Sequence, residues 1–333
     1  MKGRIYWSIL FAVVASLALA ASVHAADPAL PGAKPVPAMQ AIPLPYDQAA
    51  FEHEGRELTR YHFGENLRRP FWYPMVGPGG RSLTRMGMPG DPARSVTQAS
   101  QPEDPNRPAS PGGHSHQNSV WISHKDVGGI DFWRDAGPIA GQIVHQFVAD
   151  GFHYIDGEKA GMLSVNAWNG PDCKLLMTDR RRSTVAPGDG DSWWLVIDLQ
   201  LEAPKGGEVT LGKTPFGPIG VRMAKPVGVN DGGGRILNSE GQRNEKEAFR
   251  KPARWVDYSG PVTNDAAGGV TLMDHPNNPR HPAPFHVRDN GWMGACLTLH
   301  EPMTIKDGEP VRLRYGLWMH AGVPDAKELD RQW

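Results

Sequence analysis

The chain reads as an all-β protein: a large antiparallel β-sandwich of the supersandwich-like kind, with very little helix. Three observations predict this. Apolar and polar residues alternate in many short runs along the chain. Turn-forming residues separate those runs, with 39 Gly and 31 Pro. Helical periodicity is confined to two short stretches. Alternation puts every second side chain on one face of a strand, and Gly and Pro supply the turns between strands.

In chain order, residues 1–25 are expected to be a signal peptide. Lys2 and Arg4 precede the apolar run Ile5 to Ala21, and Val23-His24-Ala25 offers small side chains at positions −3 and −1 of a cleavage site. Residues 26–45, rich in Ala and Pro, are expected to be a flexible leader. One β-sandwich domain then fills residues 46–333. Its strand patterns cover residues 58–63, 71–76, 119–123, 142–148, 161–168, 175–183, 193–202, 220–224, 254–258, 270–274, 292–300 and 311–317. The clearest is Trp193 to Glu202, where Leu195, Ile197, Leu199 and Leu201 share one face and Asp198, Gln200 and Glu202 the other. Short helices are expected at residues 244–250 and 326–332. Residues 87–113 form a long loop of Pro, Ser, Asp and Gly that leads directly into His114; loops of that length are often functional.

Charged residues make up 21% of the chain and the net charge is −1. No basic stripe of the kind nucleic acid requires is present. Arg180-Arg181-Arg182, the one tight basic run, reads as a solvated strand edge or turn, or as a contact for an anion or a uronate. No stretch after the signal approaches the ~20 apolar residues of a membrane span. The mature protein is expected to be periplasmic or secreted. Cys173 and Cys296 could pair in such a compartment or remain as separate thiols.

Six of the 13 histidines lie in two clusters. The first, in the run from Gly112 to Trp133, holds His114, His116 and His124; the second holds His275, His281 and His286. The working expectation is that the clusters meet in one polar site. Histidine gives and takes protons near neutral pH and ligates transition metals. His114 and His116 sit at i and i+2, on one side of a strand, so they could grip a metal ion or a substrate. His124 completes the candidate metal ligands, and a divalent metal ion is the cofactor that set could hold. His114, His116, His124, His275 and His286 are the candidates for proton transfer, with Glu240 as an auxiliary acid or base. Arg222 and Arg288 are candidates to hold substrate. Asp126, Asn278, Arg280 and His281 add polar groups on turns, where β-scaffolds present their sites. Eleven tryptophans are many for this length, and indole faces pack on sugar rings. Trp121 and Trp133 flank the first cluster and are the candidate binding wall.

There is no G-x-S-x-G elbow, Walker motif, dinucleotide fingerprint or H-E-x-x-H helix. Asp126, Asp131 and Glu240 show no spacing that marks the carboxylate pair of the usual glycosidase route. Histidine- or metal-based chemistry is therefore preferred.

Five ordered motifs carry a resemblance: P-F-W-Y-P-M-V-G-P-G-G, H-S-H-Q-N-S-V-W-I-S-H-K-D-V-G-G-I-D-F-W, I-L-N-S-E-G, A-R-W-V-D-Y-S-G and D-H-P-N-N-P-R-H-P-A-P-F-H-V-R. From Arg69 to Met319 the chain resembles a bacterial family of unknown function commonly labelled "methane oxygenase PmoA". This PmoA-like family is distinct from the membrane methane monooxygenase subunit, which is polytopic and helical. The resemblance implies a large β-sandwich in bacteria that degrade polysaccharides, often encoded near sugar-processing enzymes. It also exposes two departures. The family pattern usually has adjacent histidines where this chain reads His116-Gln117, and a K-E-G-like segment reads Lys213-Thr214-Pro215-Phe216-Gly217. The expected function is that of a carbohydrate-active protein with a histidine-rich site, an enzyme that cleaves or epimerises a glycan or sugar derivative. The alternatives are a non-catalytic glycan-binding protein and a histidine-ligated metal oxidase.

Overall fold

Alternation along the chain becomes strand pairing in a computed structural model that describes residues 34–87, 114–155 and 158–333. The expected signal peptide, the start of the leader and nearly all of the 87–113 loop lie outside the described residues. The first strands are β1 (Met39–Leu44), β2 (Gln48–His53), β3 (Arg56–His62), β4 (Phe71–Met75), β5 (Val120–Ile122), β6 (Gln142–Ile155), β7 (Lys159–Asn169), β8 (Leu175–Pro187), β9 (Trp193–Glu202) and β10 (Glu208–Leu211). They are followed by β11 (Ile219–Arg222), β12 (Arg235–Asn238), β13 (Lys251–Pro252), β14 (Trp255–Pro261), β15 (Ala267–Asp274), β16 (Pro284–Arg288), β17 (Trp292–Ala295), β18 (Met303–Lys306) and β19 (Val311–Ala321). Three short α-helices, α1 (Val229–Gly232), α2 (Asn244–Ala248) and α3 (Ala326–Gln332), and two 3-10 turns, Pro78–Gly80 and Lys225–Val227, complete the described elements.

The strands form two large antiparallel sheets. One has nine strands in the order β1-β2-β3-β4-β5-β11-β17-β16-β13, the other eight in the order β12-β14-β15-β19-β9-β8-β7-β6. β10 and β18 make a separate two-stranded ribbon. The inner faces share one apolar core. Leu195, Ile197, Leu199, Leu313, Tyr315 and Leu317 come from the eight-stranded sheet, and Trp72, Val120, Ile122, Val221, Val287 and Met293 from the nine-stranded one. Each such side chain contributes about 1.5–3 kcal/mol when fully buried. That is the all-β antiparallel sandwich expected from the alternation. On the outer face of the eight-stranded sheet α3 lays Leu329 against Trp255 and Trp318.

Several local expectations change. Residues 39–44, expected within the leader, pair with β2 and bury Met39 and Ala41. β1 is an edge strand, where Pro43 removes no needed ladder bond. Arg181, expected on a solvated edge or turn, lies fully buried in the middle of β8, and its Nε and Nη2 donate to Asp179 at 2.7 and 2.8 Å. Alternation along β8 sends Arg181 inward, while Arg180 faces out and pairs with Glu202. The strand expected over 292–300 ends at Ala295. Cys173 is exposed and Cys296 buried, and the two are not paired.

Candidate functional site

The middle of the nine-stranded sheet has two opposite faces of different chemistry. In β4, β5, β11, β17 and β16, one alternate set of residues enters the core. The other set carries Phe71, Trp121, Gly220, Arg222, Trp292, Gly294, His286 and Arg288. Register aligns these in rows across the sheet. Phe71 faces Trp121 and Trp121 faces Gly220; Arg222 faces Trp292 and Trp292 faces Arg288; Gly294 faces His286. Two glycines give the indoles room. A Cβ on Gly220 would lie 2.6 Å from the Trp121 ring, and one on Gly294 would lie 3.1 Å from the Trp292 ring.

Trp133 completes this face from the loop after β5. Its ring centroid is 5.1 Å from Trp121, 5.6 Å from Phe216 and 6.1 Å from Trp292. The result is an aromatic cluster separate from the sandwich core. The indole nitrogens of Trp121 and Trp292 are buried and have no hydrogen-bond partner among the described residues. Buried donors are nearly always paired, so such orphans mark a place for a polar ligand or water.

His286 stands at the cationic end of this face. Its ring is 4.2 Å from Trp292 at 75°, 5.3 Å from Phe216 and 5.0 Å from Phe249. Nδ1 lies 3.4 Å from the Pro215 carbonyl. A carbonyl only accepts, so Nδ1 carries the proton and Nε2 is left as the basic nitrogen. Burial, aided by Arg288 and Arg250, pushes the imidazole down to about 3, and it is neutral at pH 7. The Cys296 thiol also donates to Pro215 O, at 3.1 Å. Burial pushes that thiol up to about 12, so it is no thiolate nucleophile. Beside it opens a cavity of about 240 Å³ lined in part by Cys296, Pro284, Arg280, His300 and Glu301.

The first histidine cluster sits on turns next to this face. The His114 and His116 rings are 5.9 Å apart, edge to face. Arg69, itself buried, donates to the carbonyls of His116, Phe132, Trp133 and Arg134 and to Asn118 and Asp135. It thereby pins the His116 turn to the segment that carries Trp133. Burial, followed by the charge of Arg69, pushes His116 down to about 4. Gln117, next to His116, is buried, and its Oε1 has no partner among the described residues. His124 is structural in its bonding: Asp126 N donates to Nδ1 at 3.1 Å and Nε2 meets Thr298 Oγ1 at 2.8 Å. Asp126 caps a turn by accepting from Gly129 N.

The second cluster divides. His286 joins the aromatic face; its neighbours in sequence build a loop. Buried Asp274 accepts from Asn278 Nδ2, His281 Nδ1 and Ala283 N. Asn278 also bonds the Arg314 backbone in both directions. His281 stacks on Trp333, and His275 Nδ1 accepts from Asn277 N. Arg280 donates to the carbonyls of Leu297, Glu301 and Pro302. Glu240 is an exposed turn carboxylate that accepts from Ser239 Oγ. Arg222 donates to Asn290, and Arg288 pairs with Glu245 at 3.0 Å.

Of the residues singled out in the sequence, Trp121, Trp133, Arg222, His286 and Arg288 share one face. Sequence reasoning missed Phe216, Phe249, Trp292 as a site residue, Arg250 and Arg69. The segment 213–217, noted in the sequence, supplies both Pro215 and Phe216. Among the described residues, no three His, Cys, Asp or Glu side chains converge to hold a metal ion. His124 in particular has both ring nitrogens engaged, which separates it from the expected His114, His116, His124 ligand set.

Comparison with known proteins adds a family. The profile described as "Family of unknown function (DUF6807)" matches residues 48–333. No curated protein matches. A solved structure titled "Crystal Structure Analysis of HI1317" aligns with a TM-score of 0.24 at 8% identity, covering 85% of this chain and 98% of that one. At that score the alignment carries no argument. Among the described residues no helix is long and apolar enough to cross a membrane.

Proposed function

The chain belongs to this family of unknown function, and we propose that it is a carbohydrate-active enzyme that cleaves or epimerises a glycan or sugar derivative, with His286 as the proton-transfer group. The observation that carries this reading is the setting of His286: a neutral imidazole with Nδ1–H fixed on Pro215 O, enclosed by Trp292, Phe216 and Phe249. Fixing one ring nitrogen orients the other as a base. The aromatic face beside it is closed over, with Trp121, Trp133 and Trp292 buried, and what supports a polar ligand there is the pair of unpartnered indole N–H groups, which suit hydroxyls. The N-terminal apolar run supports a periplasmic or secreted location, and the sequence resemblance to the PmoA-like family supports a role in polysaccharide degradation.

A second reading is a glycan-binding protein without catalysis, favoured by the same unpartnered indole donors. One experiment separates the two. The purified protein is incubated with a panel of oligosaccharides, with binding followed by calorimetry and products by mass spectrometry. Turnover that is lost in His286→Gln supports the enzyme. Binding without turnover supports the second reading, and neither binding nor turnover across the panel overturns both.

A further inference from the structure

Three cations surround His286 through the two rings that touch it. Lys125 Nζ lies 5.4 Å above the Phe216 ring centre. The guanidinium carbons of Arg250 and Arg288 lie 4.9 and 5.6 Å from that of Phe249. Those rings are themselves 5.3 and 5.0 Å from the imidazole. Arg222 belongs to the same sheet face, two strands further in. Glu245 pairs with Arg288, and it and Asp289 are held by each other's backbone N–H groups. The Lys125 ammonium and the Arg250 guanidinium lie over aromatic faces.

We propose that the sugar bound at this face carries a negative charge, a uronate carboxylate held between Lys125 and Arg250, so that His286 faces the carbon next to that carboxylate. This rests on the carbohydrate reading above and narrows its substrate class. Lys125 is half-buried and Arg250 exposed, so both charges are open to an incoming anion while the rings beneath them restrict where they sit. The unpartnered indole donors beside them suit the hydroxyls of the same ring.

The charge also resolves a difficulty in the chemistry. With no anion present, burial and the neighbouring cations make His286 a weak base. An anion placed beside it favours the imidazolium and restores basicity. Proton transfer is thus switched on by the substrate charge. In the step itself, the C–H bond next to the carboxylate breaks and the proton moves to Nε2. The electron pair passes into the carboxylate-stabilised enolate, whose charge the cations offset. Return of a proton to the opposite face gives the epimer. Alternatively the pair closes a carbon–carbon double bond while the glycosidic oxygen two carbons from the carboxyl group departs and takes a proton from solvent.

The test uses one uronate-bearing oligosaccharide before and after chemical reduction of its carboxylates to primary alcohols, with a sulfated neutral oligosaccharide as a third arm. Binding and turnover are measured for the full chain and for Lys125→Gln and Arg250→Gln, with thermal melts to confirm folding. The carboxylate form is expected to bind about tenfold or more tighter than its reduced partner, and each variant to weaken that binding about tenfold. Equal recognition of the reduced form overturns the charge requirement while leaving the carbohydrate reading intact. Recognition of the sulfated arm instead of the uronate overturns the proton-abstraction step. No recognition of any arm by a folded protein overturns this proposal and the parent reading together.

Discussion

His124 gives its Nε2 hydrogen to Thr298 Oγ1 at 2.8 Å, across 174 residues of chain, while Asp126 N donates to Nδ1 at 3.1 Å. Both ring nitrogens are used and the ring is buried, so this histidine ties the end of β5 to the turn after β17. Thr298→Val leaves a buried N–H without its acceptor. It is expected to lower the unfolding free energy by about 1–3 kcal/mol, read as a reduced urea midpoint. An unchanged midpoint would remove the crosslink.

His116, His124 and His286 give the fold an acid-sensitive limb. Burial holds the first two at about 4 and the third at about 3, against about 6.5 in an unfolded chain. Below pH 6.5 the unfolded chain binds protons that the folded chain refuses. The stabilisation is therefore complete above about 6.5 and is lost as pH falls toward those folded values. Each histidine contributes a slope approaching about 1.4 kcal/mol per pH unit. Chemical denaturation at pH 7.5 and pH 5 is expected to show the loss, and a flat profile contradicts it.

His286→Gln keeps a hydrogen-bonding group of similar size but no base. Turnover is expected to fall by roughly 10²–10⁴-fold, with KM changed far less. A variant with native kcat would move the base elsewhere.

Trp121→Phe removes a buried N–H that has no partner among the described residues. Stability is expected to hold within about 1 kcal/mol, because no hydrogen bond is lost. Glycan affinity is expected to fall about fivefold, from the loss of one bond to a hydroxyl. Unchanged affinity in calorimetry would place the sugar off this indole.

Asp274→Asn tests the divided histidine cluster. The carboxylate gathers Asn278, His281 and the Ala283 N–H in one buried loop. Losing its charge is expected to destabilise the fold by about 1–3 kcal/mol with little effect on kcat. A specific loss of kcat in a stable variant would return His281 to the site.

The sequence exposed the parts that obey a period. Trp193 to Glu202 and Val311 to Leu317 were legible because the core takes every second side chain. β13 and β16 were not, since two to five residues headed by turns or Pro show no period. β1 was hidden by Pro43, which an edge strand tolerates. At the site, Trp121 and Arg222 were legible as polar or aromatic residues on short strands, and His286 and Arg288 as a polar pair at i and i+2. Phe216, Phe249 and Lys125 arrive from loops, where spacing says nothing about meeting points. Asn278, Arg280 and His281 drew attention because a polar loop that satisfies its own backbone resembles one that serves a ligand.

The strand order has a consequence for the life of the molecule. Ile122 pairs with Ile219, and Val221 with Met293, so the strands beneath the aromatic face are drawn from distant parts of the chain. Contacts so remote in sequence form slowly. A chain still being made, or one clipped before Trp292, lacks β17 and with it both Trp292 and the strand that pairs with His286. The aromatic face is therefore assembled only once β17 is in place, and a ligand that bound there would report completion of the fold.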